Sequence, residues 1–196
     1  MQYTNEKSIL KRLQKGEKEA FAEVYDIYSV KIFRFIYLKT SSKETAEDLT
    51  SEVFFKLWKY IEMKNEVGNG KLVVKNGFSS LIYKIARNLI IDHYRKKKDY
   101  LVDIDEEQKD DIVDQNQDIL ANLNRKQEIE DLKESLSYLK DDYQEILIFR
   151  FVEDLSITEI AAITGKKEGA VRVQIHRATK ALEKVIKRRT TTRKSC

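Results

Sequence analysis

The 196-residue sequence has no proline, one cysteine, six glycines and two histidines. Each scarcity removes a class of answer. Without proline there is no strong helix breaker, so long helices are favoured. The lone cysteine, Cys196, is the last residue, which rules out an intrachain disulfide and a cysteine-rich zinc site. No window is apolar enough to span a bilayer. The first residues, Met1 to Lys7, show neither the apolar run nor the cleavage pattern of a signal peptide, so a cytoplasmic chain with no membrane association is expected. With so few histidines, no glycine-rich phosphate loop and no nucleophile–base pattern, neither an enzyme, a catalytic residue nor a cofactor is expected.

Charge is abundant by contrast, at 36% of residues, and it is unevenly spread. Basic residues gather at Arg95-Lys96-Lys97-Lys98 and again from Lys184 to Lys194, while Asp99 to Asp118 is strongly acidic. A formal net charge of +4 is compatible with a nucleic-acid partner without establishing one. Read alone, each run is equally well a solvated surface.

The apolar residues recur at helical spacing. Ile9, Leu10 and Leu13 make a short helix that should stop at Gly16. Phe21, Val24, Tyr25, Tyr28, Ile32, Phe35 and Ile36 mark one buried face of a longer helix, broken at Thr40-Ser41-Ser42. Ser42 is a candidate N-cap for the next helix, which runs to about Ile61 and buries Ala46, Leu49, Val53 and Leu57. From 62 to 77 the pattern fails, and turn signals at Gly68-Asn69-Gly70 and Asn76-Gly77 flank a segment suited to a short hairpin. Helical register resumes at Phe78, with Leu81, Ile82, Ile85 and Leu89. The acidic stretch reads as a linker. As a calcium loop it fails, since counting from Asp103 puts Gln108 where glycine is needed and Asp114 where glutamate is needed, so no metal is expected. From Ile119 the helical period returns through Leu132, Leu136, Leu139, Tyr143, Ile146, Leu147 and Phe151.

The expected fold class is therefore all-α, with two small helical domains joined by an acidic linker. The expected boundaries are 1–98 for the first domain, 99–118 for the linker, 119–189 for the second domain and 190–196 for a basic tail.

Two local motifs carry function. Ser156 with Glu159 three residues on forms a capping box in front of Ile160 and Ala161. Thr164-Gly165-Lys166 is a short turn, and a second helix follows from about Lys167. Together they make a helix-turn-helix. Its second helix points Arg172, Gln174, His176, Arg177 and Lys180 outward, side chains suited to phosphates and base edges. Arg172 and Arg177 stand about 140° apart on an ideal helix. Arg172, nearer the N-terminal half, is the better placed for base edges, and Arg177 with Lys180 for phosphates. An ordinary helical hairpin is the plain alternative. The second motif is Tyr83 to Arg95, where Asn88, Asp92 and Arg95 form a polar ladder at steps of four and three.

In this order the motifs resemble the extracytoplasmic-function RNA polymerase sigma factors of the sigma-70 family. The residues carrying the resemblance are Ala46-Glu47-Asp48-Leu49-Thr50-Ser51-Glu52-Val53-Phe54, Ile85-Ala86-Arg87-Asn88 with Ile91-Asp92 and Arg95, Leu155 to Ala161, and Gly169 to Ala178. The resemblance implies a subunit that binds core RNA polymerase, directs it to promoters and helps melt the minus-ten region. It places Glu47, Asp48 and Glu52 against the clamp of the largest polymerase subunit, and the second domain near the flap of the second-largest. It implies minus-ten contacts by Arg87, Asn88, Asp92, Arg95 and Lys96, and minus-thirty-five contacts by Lys167, Arg172, Val173, His176, Arg177 and Lys180. Both double- and single-stranded promoter DNA are implied partners. An anti-sigma factor or a separate recruiting factor is a further partner the family admits. This sequence departs from the family pattern at Ser51, where glutamine is usual, at Lys167, where a serine cap is usual, and at Val173, where a small polar residue is usual. Its 62–77 loop is also longer. A helix-turn-helix regulator outside the polymerase is the competing reading, but it leaves the Ile85 to Arg95 motif unexplained.

Overall fold

The computed structural model describes residues 2–66, 77–101, 130 and 132–193. Among them the fold is all-α, with no strand. The chain divides into two compact units, one mainly N-terminal and one mainly C-terminal, with residues 162–165 grouped with the first. Of the 62–77 loop in which a short hairpin is expected, residues 67–76 lie outside the described residues, as does most of the acidic linker. No described helix is long and apolar enough to cross a membrane.

The N-terminal unit has four helices: α1 (Gln2–Gln14), α2 (Lys18–Thr40), α3 (Lys43–Glu66) and α4 (Phe78–Leu101). Helix α1 stops where glycine permits it. Gly16 takes φ +78°, its N–H donates to the Leu13 carbonyl, and the Glu17 N–H donates to the Arg12 carbonyl. This pair of bonds is a Schellman stop, which satisfies carbonyls the helix would otherwise leave open. Arg12 then reaches across to Glu17 at 2.8 Å and Glu23 at 2.6 Å, which fixes α1 on α2. Both contacts hold the Arg12 guanidinium pKa above its ordinary value.

Helix α2 is the central element and touches the other three. Val24, Tyr28, Ile32, Phe35 and Ile36 are buried as their spacing predicts. Tyr25 departs from that expectation. It is 48% exposed and leans on Phe54, with ring centroids 4.7 Å apart. At the α2–α3 junction Ser41 adopts φ 58° and Ser42 Oγ accepts the Thr45 N–H at 3.2 Å, the cap the sequence suggests. Helix α3 continues past the expected stop at Ile61 to Glu66. Asn65 explains the extra turn, because its Nδ2 donates to the Leu13 carbonyl at 2.9 Å and ties the end of α3 to the end of α1.

In α4 the buried residues are Phe78, Ile82, Tyr83, Ala86, Leu89 and Ile90. Leu81 and Ile85, expected in the core, are only half-buried, because Tyr83 and Ala86 take the inner face. The aromatic ring of Tyr83 meets Phe35 edge-on at 5.6 Å.

The C-terminal unit holds a helix described over 132–137 (α5), α6 (Asp141–Leu147), a π-helical segment at Ile148–Val152, α7 (Ile157–Thr164) and α8 (Glu168–Arg193). Its core contains Leu136, Leu139, Ile146 to Phe149, Leu155, Ile160, Ile163, Val171 and Ala178. The expectation that Phe151 is buried is corrected, since it is 64% exposed. The π segment widens the turn, with the Glu153 N–H donating five residues back to Ile148, and this rotates Phe151 outward while Ile148 and Phe149 point in. Arg150 closes the segment by donating to the Leu155 carbonyl at 3.0 Å.

Candidate nucleic-acid interface

The helix-turn-helix is built as its sequence predicts. Ser156 N–H and Ser156 Oγ both donate to Glu159 Oε2, at 2.8 and 2.6 Å, and the Glu159 N–H donates back to Ser156 Oγ at 3.2 Å. The reciprocal pair satisfies N-terminal donors of α7 that have no helical partner. Gly165 sits at φ +72° in the turn, a backbone region that disfavours side chains with a Cβ. Helix α8 then starts at Glu168, with the Val171 N–H donating to the Lys167 carbonyl at 3.1 Å.

The outward face of α8 presents Lys167 at its start and then Arg172, Val173, His176, Arg177 and Lys180, all exposed. Eight lysines and arginines against two glutamates make the helix strongly cationic. A helix of this charge attracts phosphates over a Debye length of about 8 Å at physiological salt. Glu168 takes the Thr158 hydroxyl at 2.8 Å and the Arg172 guanidinium at 3.0 Å, so the first turn of α8 is pinned to α7.

Gln174, expected among the outward-facing side chains, is instead a brace. Its Oε1 accepts from Lys166 Nζ at 2.7 Å, and its Nε2 donates to the Asp142 carbonyl at 2.9 Å. Lys166 also stands 3.8 Å from the Asp142 carboxylate. This clasp ties the turn, α8 and the start of α6 together beside a shallow open groove of about 490 Å³. Sequence reading missed Lys166 and the clasp because Asp142 is 32 positions from Gln174.

On α4, Lys84, Asn88, Ile91 and Arg95 lie along one exposed stripe. Asp92 and Arg95 pair at 3.1 Å. Lys96 is exposed beside them, whereas Arg87 is half-buried on a neighbouring face. The exposed Asn88 side chain makes no hydrogen bond among the described residues, which leaves its amide open to a ligand. Tyr94 donates its hydroxyl to the Lys39 carbonyl at 2.7 Å while the residue stays 43% exposed. The residue before it, His93, has its pKa lowered by burial and then by the Lys97 charge.

On α3, Glu47, Asp48 and Glu52 share an exposed face with Ser51 and Phe55. Glu47 stands 3.8 Å from Lys43, and Glu52 pairs with Lys56 at 3.1 Å. Exposed pairs of this kind contribute at most about 1 kcal/mol. No group of three metal-ligating side chains occurs among the described residues.

Two family models match the chain: Sigma-70 region 2 over residues 24–100 and Sigma-70, region 4 over residues 129–182. The ECF RNA polymerase sigma factor BldN of Streptomyces coelicolor is 31% identical over 185 residues, covering 91% of this chain but only 64% of BldN. The ECF RNA polymerase sigma factor SigW of Bacillus subtilis is 28% identical over 188 residues, covering 92% of this chain and 96% of SigW. Among solved structures, the sigma factor RpoE, in complex with the anti-sigma factor NepR from Bartonella quintana, superposes with a TM-score of 0.68. That match has 20% identity and covers 85% of this chain and 96% of the other, which speaks to the fold.

Proposed function

The chain belongs to the extracytoplasmic-function sigma factors of the sigma-70 family, and from that premise we propose that its two units divide promoter work between them. It binds core RNA polymerase, directs it to particular promoters and helps open them. The N-terminal unit docks on the polymerase clamp through Glu47, Asp48 and Glu52 and captures the minus-ten strand with α4. The C-terminal unit reads the minus-thirty-five duplex with α8 and lies near the flap. It acts by binding alone and catalyses no covalent step. Its working place is the cytoplasm, with the polymerase. The proposal includes a protein antagonist of the anti-sigma class, the kind of partner with which RpoE was co-crystallised.

The carrying observation is that the helix-turn-helix does not stand alone. The α4 stripe of Asn88, Ile91 and Arg95 mixes an open amide, an apolar side chain and a cation on one exposed face. An unpaired strand offers base faces and edges together with phosphates, and a face of this mixed chemistry can contact all three. Stacking and edge contacts to an unpaired base recover about 1–3 kcal/mol each, enough to offset opening the helix. A helix-turn-helix regulator outside the polymerase has no use for such a face.

The test is transcription in vitro with core polymerase on a genomic fragment library, with start sites mapped in the presence and absence of the chain. New start sites sharing an upstream and a minus-ten sequence are expected. A chain that binds DNA fragments but neither joins core polymerase nor creates start sites would leave the regulator reading standing instead.

A further inference from the structure

We propose that Val173 reads a thymine methyl group in the upstream promoter element, so that this reader's central contact is apolar rather than a hydrogen bond. The inference rests on α8 being the duplex-reading helix and adds the base class it selects.

Gly169, Ala170 and Val173 form the middle of the exposed face over the first turns of α8, with Val173 itself 49% exposed. All three line the groove beside the helix, and Arg177 and Lys166 also border it. The centre of the reading face is thus apolar, and its edges carry charge: Lys166 and Arg177, with Asp142 beside Lys166.

Two of the side chains nearby that would ordinarily read a purine edge have partners within the fold, and a third, Arg177, stands at the border of the groove. Gln174 would pair with adenine, but both ends of its amide are used by Lys166 and Asp142. Arg172 would fork onto guanine, and in the fold one of its nitrogens pairs at the surface with Glu168, which Thr158 holds in turn, so guanine reading there competes with that pair. Guanine and adenine present hydrogen-bonding atoms in the major groove, and burying those against Gly169, Ala170 and Val173 would leave them unsatisfied. Thymine alone among the four bases offers an apolar group there, its C5-methyl. No heavy atom lies within 4 Å of where a Cβ on Gly169 would stand, so the backbone leaves room for a base edge to come close.

The experiment uses the holoenzyme of this chain with core polymerase. Binding-site selection first defines the upstream element. Each thymine in it is then replaced by deoxyuridine, which differs only in lacking the methyl group. One position is expected to lose about fourfold in affinity, the worth of a methyl-sized group taken out of water. Val173→Ala is expected to bind thymine and deoxyuridine equally at that position. Val173 is half exposed and not part of the core, so the variant should keep the helical circular-dichroism spectrum of the parent. A clear upstream preference with no thymine–deoxyuridine difference anywhere overturns methyl reading and leaves α8 as a DNA reader. A difference that persists in Val173→Ala overturns the assignment to this residue. Absence of any upstream preference removes the duplex-reading role of α8 itself, and this proposal with it.

Discussion

Gly165 and Gly169 stand four residues apart and answer to different constraints. Gly165 holds φ +72° in the turn, where an L side chain costs about 1–2 kcal/mol. Gly169 is helical and has open space around it, so alanine there should gain about 0.5–1 kcal/mol from helix propensity. Ser156→Ala removes half of the capping box and should cost about 1 kcal/mol. Urea denaturation followed by helical signal is expected to order the variants Gly169→Ala, parent, then Ser156→Ala with Gly165→Ala. A Gly165→Ala variant as stable as the parent would mean that the turn relaxes into an ordinary helical bend. At this scale the sequence was legible wherever the partners are local. Ser156 and Glu159 sit three positions apart and were readable as a box. The Gln174 clasp and the Tyr94 bond to Lys39 join residues 32 and 55 positions apart, and only the folded chain brings those together.

Helices as elements were legible because their buried faces repeat every three to four residues, and the exceptions have physical causes. Phe151 was misplaced because the spacing argument assumes 100° per residue, while the π segment turns by less and carries Phe151 to the outside. The last turn of α3 was missed because Glu62 to Glu66 has no apolar period. A tertiary bond from Asn65 holds that turn. The acidic face of α3 illustrates the other limit, since exposure alone does not name a partner. Asp48 and Glu52 are one turn apart and exposed, and Glu52 gives up only a surface pair with Lys56 when changed. Reversing both charges, Asp48→Lys with Glu52→Lys, should therefore leave the unfolding midpoint within about 0.5 kcal/mol of the parent. Affinity for core polymerase, titrated by fluorescence anisotropy, should fall tenfold or more, with the loss greatest at low salt. Equal affinities for the two proteins would remove the clamp assignment from α3.

At the scale of the whole molecule, the order of the motifs was legible, while the acidic stretch between them gave only its charge. The proposed division of labour, with α8 on the duplex and α4 on the freed strand, makes a kinetic prediction. Arg177 lies on α8 and Asn88 on α4, both exposed and with no partner in common. If Arg177 neutralises a phosphate of the closed duplex as proposed, Arg177→Ala should weaken initial binding and lower the salt dependence by about one unit. In the proposed division of labour Asn88 acts once a strand is free. Asn88→Ala should leave initial binding intact and reduce the fraction of promoter that opens, read by permanganate reactivity of unpaired thymines. A premelted promoter should restore the Asn88→Ala variant only in part, because the bubble supplies the opening but not the missing contact. Effects of distant residues without shared partners add in free energy within about 0.5 kcal/mol, so the double variant should show the product of the two losses. Varying holoenzyme concentration separates the steps, since saturating protein should rescue Arg177→Ala and not Asn88→Ala. If saturation rescues both variants, Asn88 serves binding rather than opening. If the double variant loses much less than the product, the two faces act on one step, and the division of labour between the units fails.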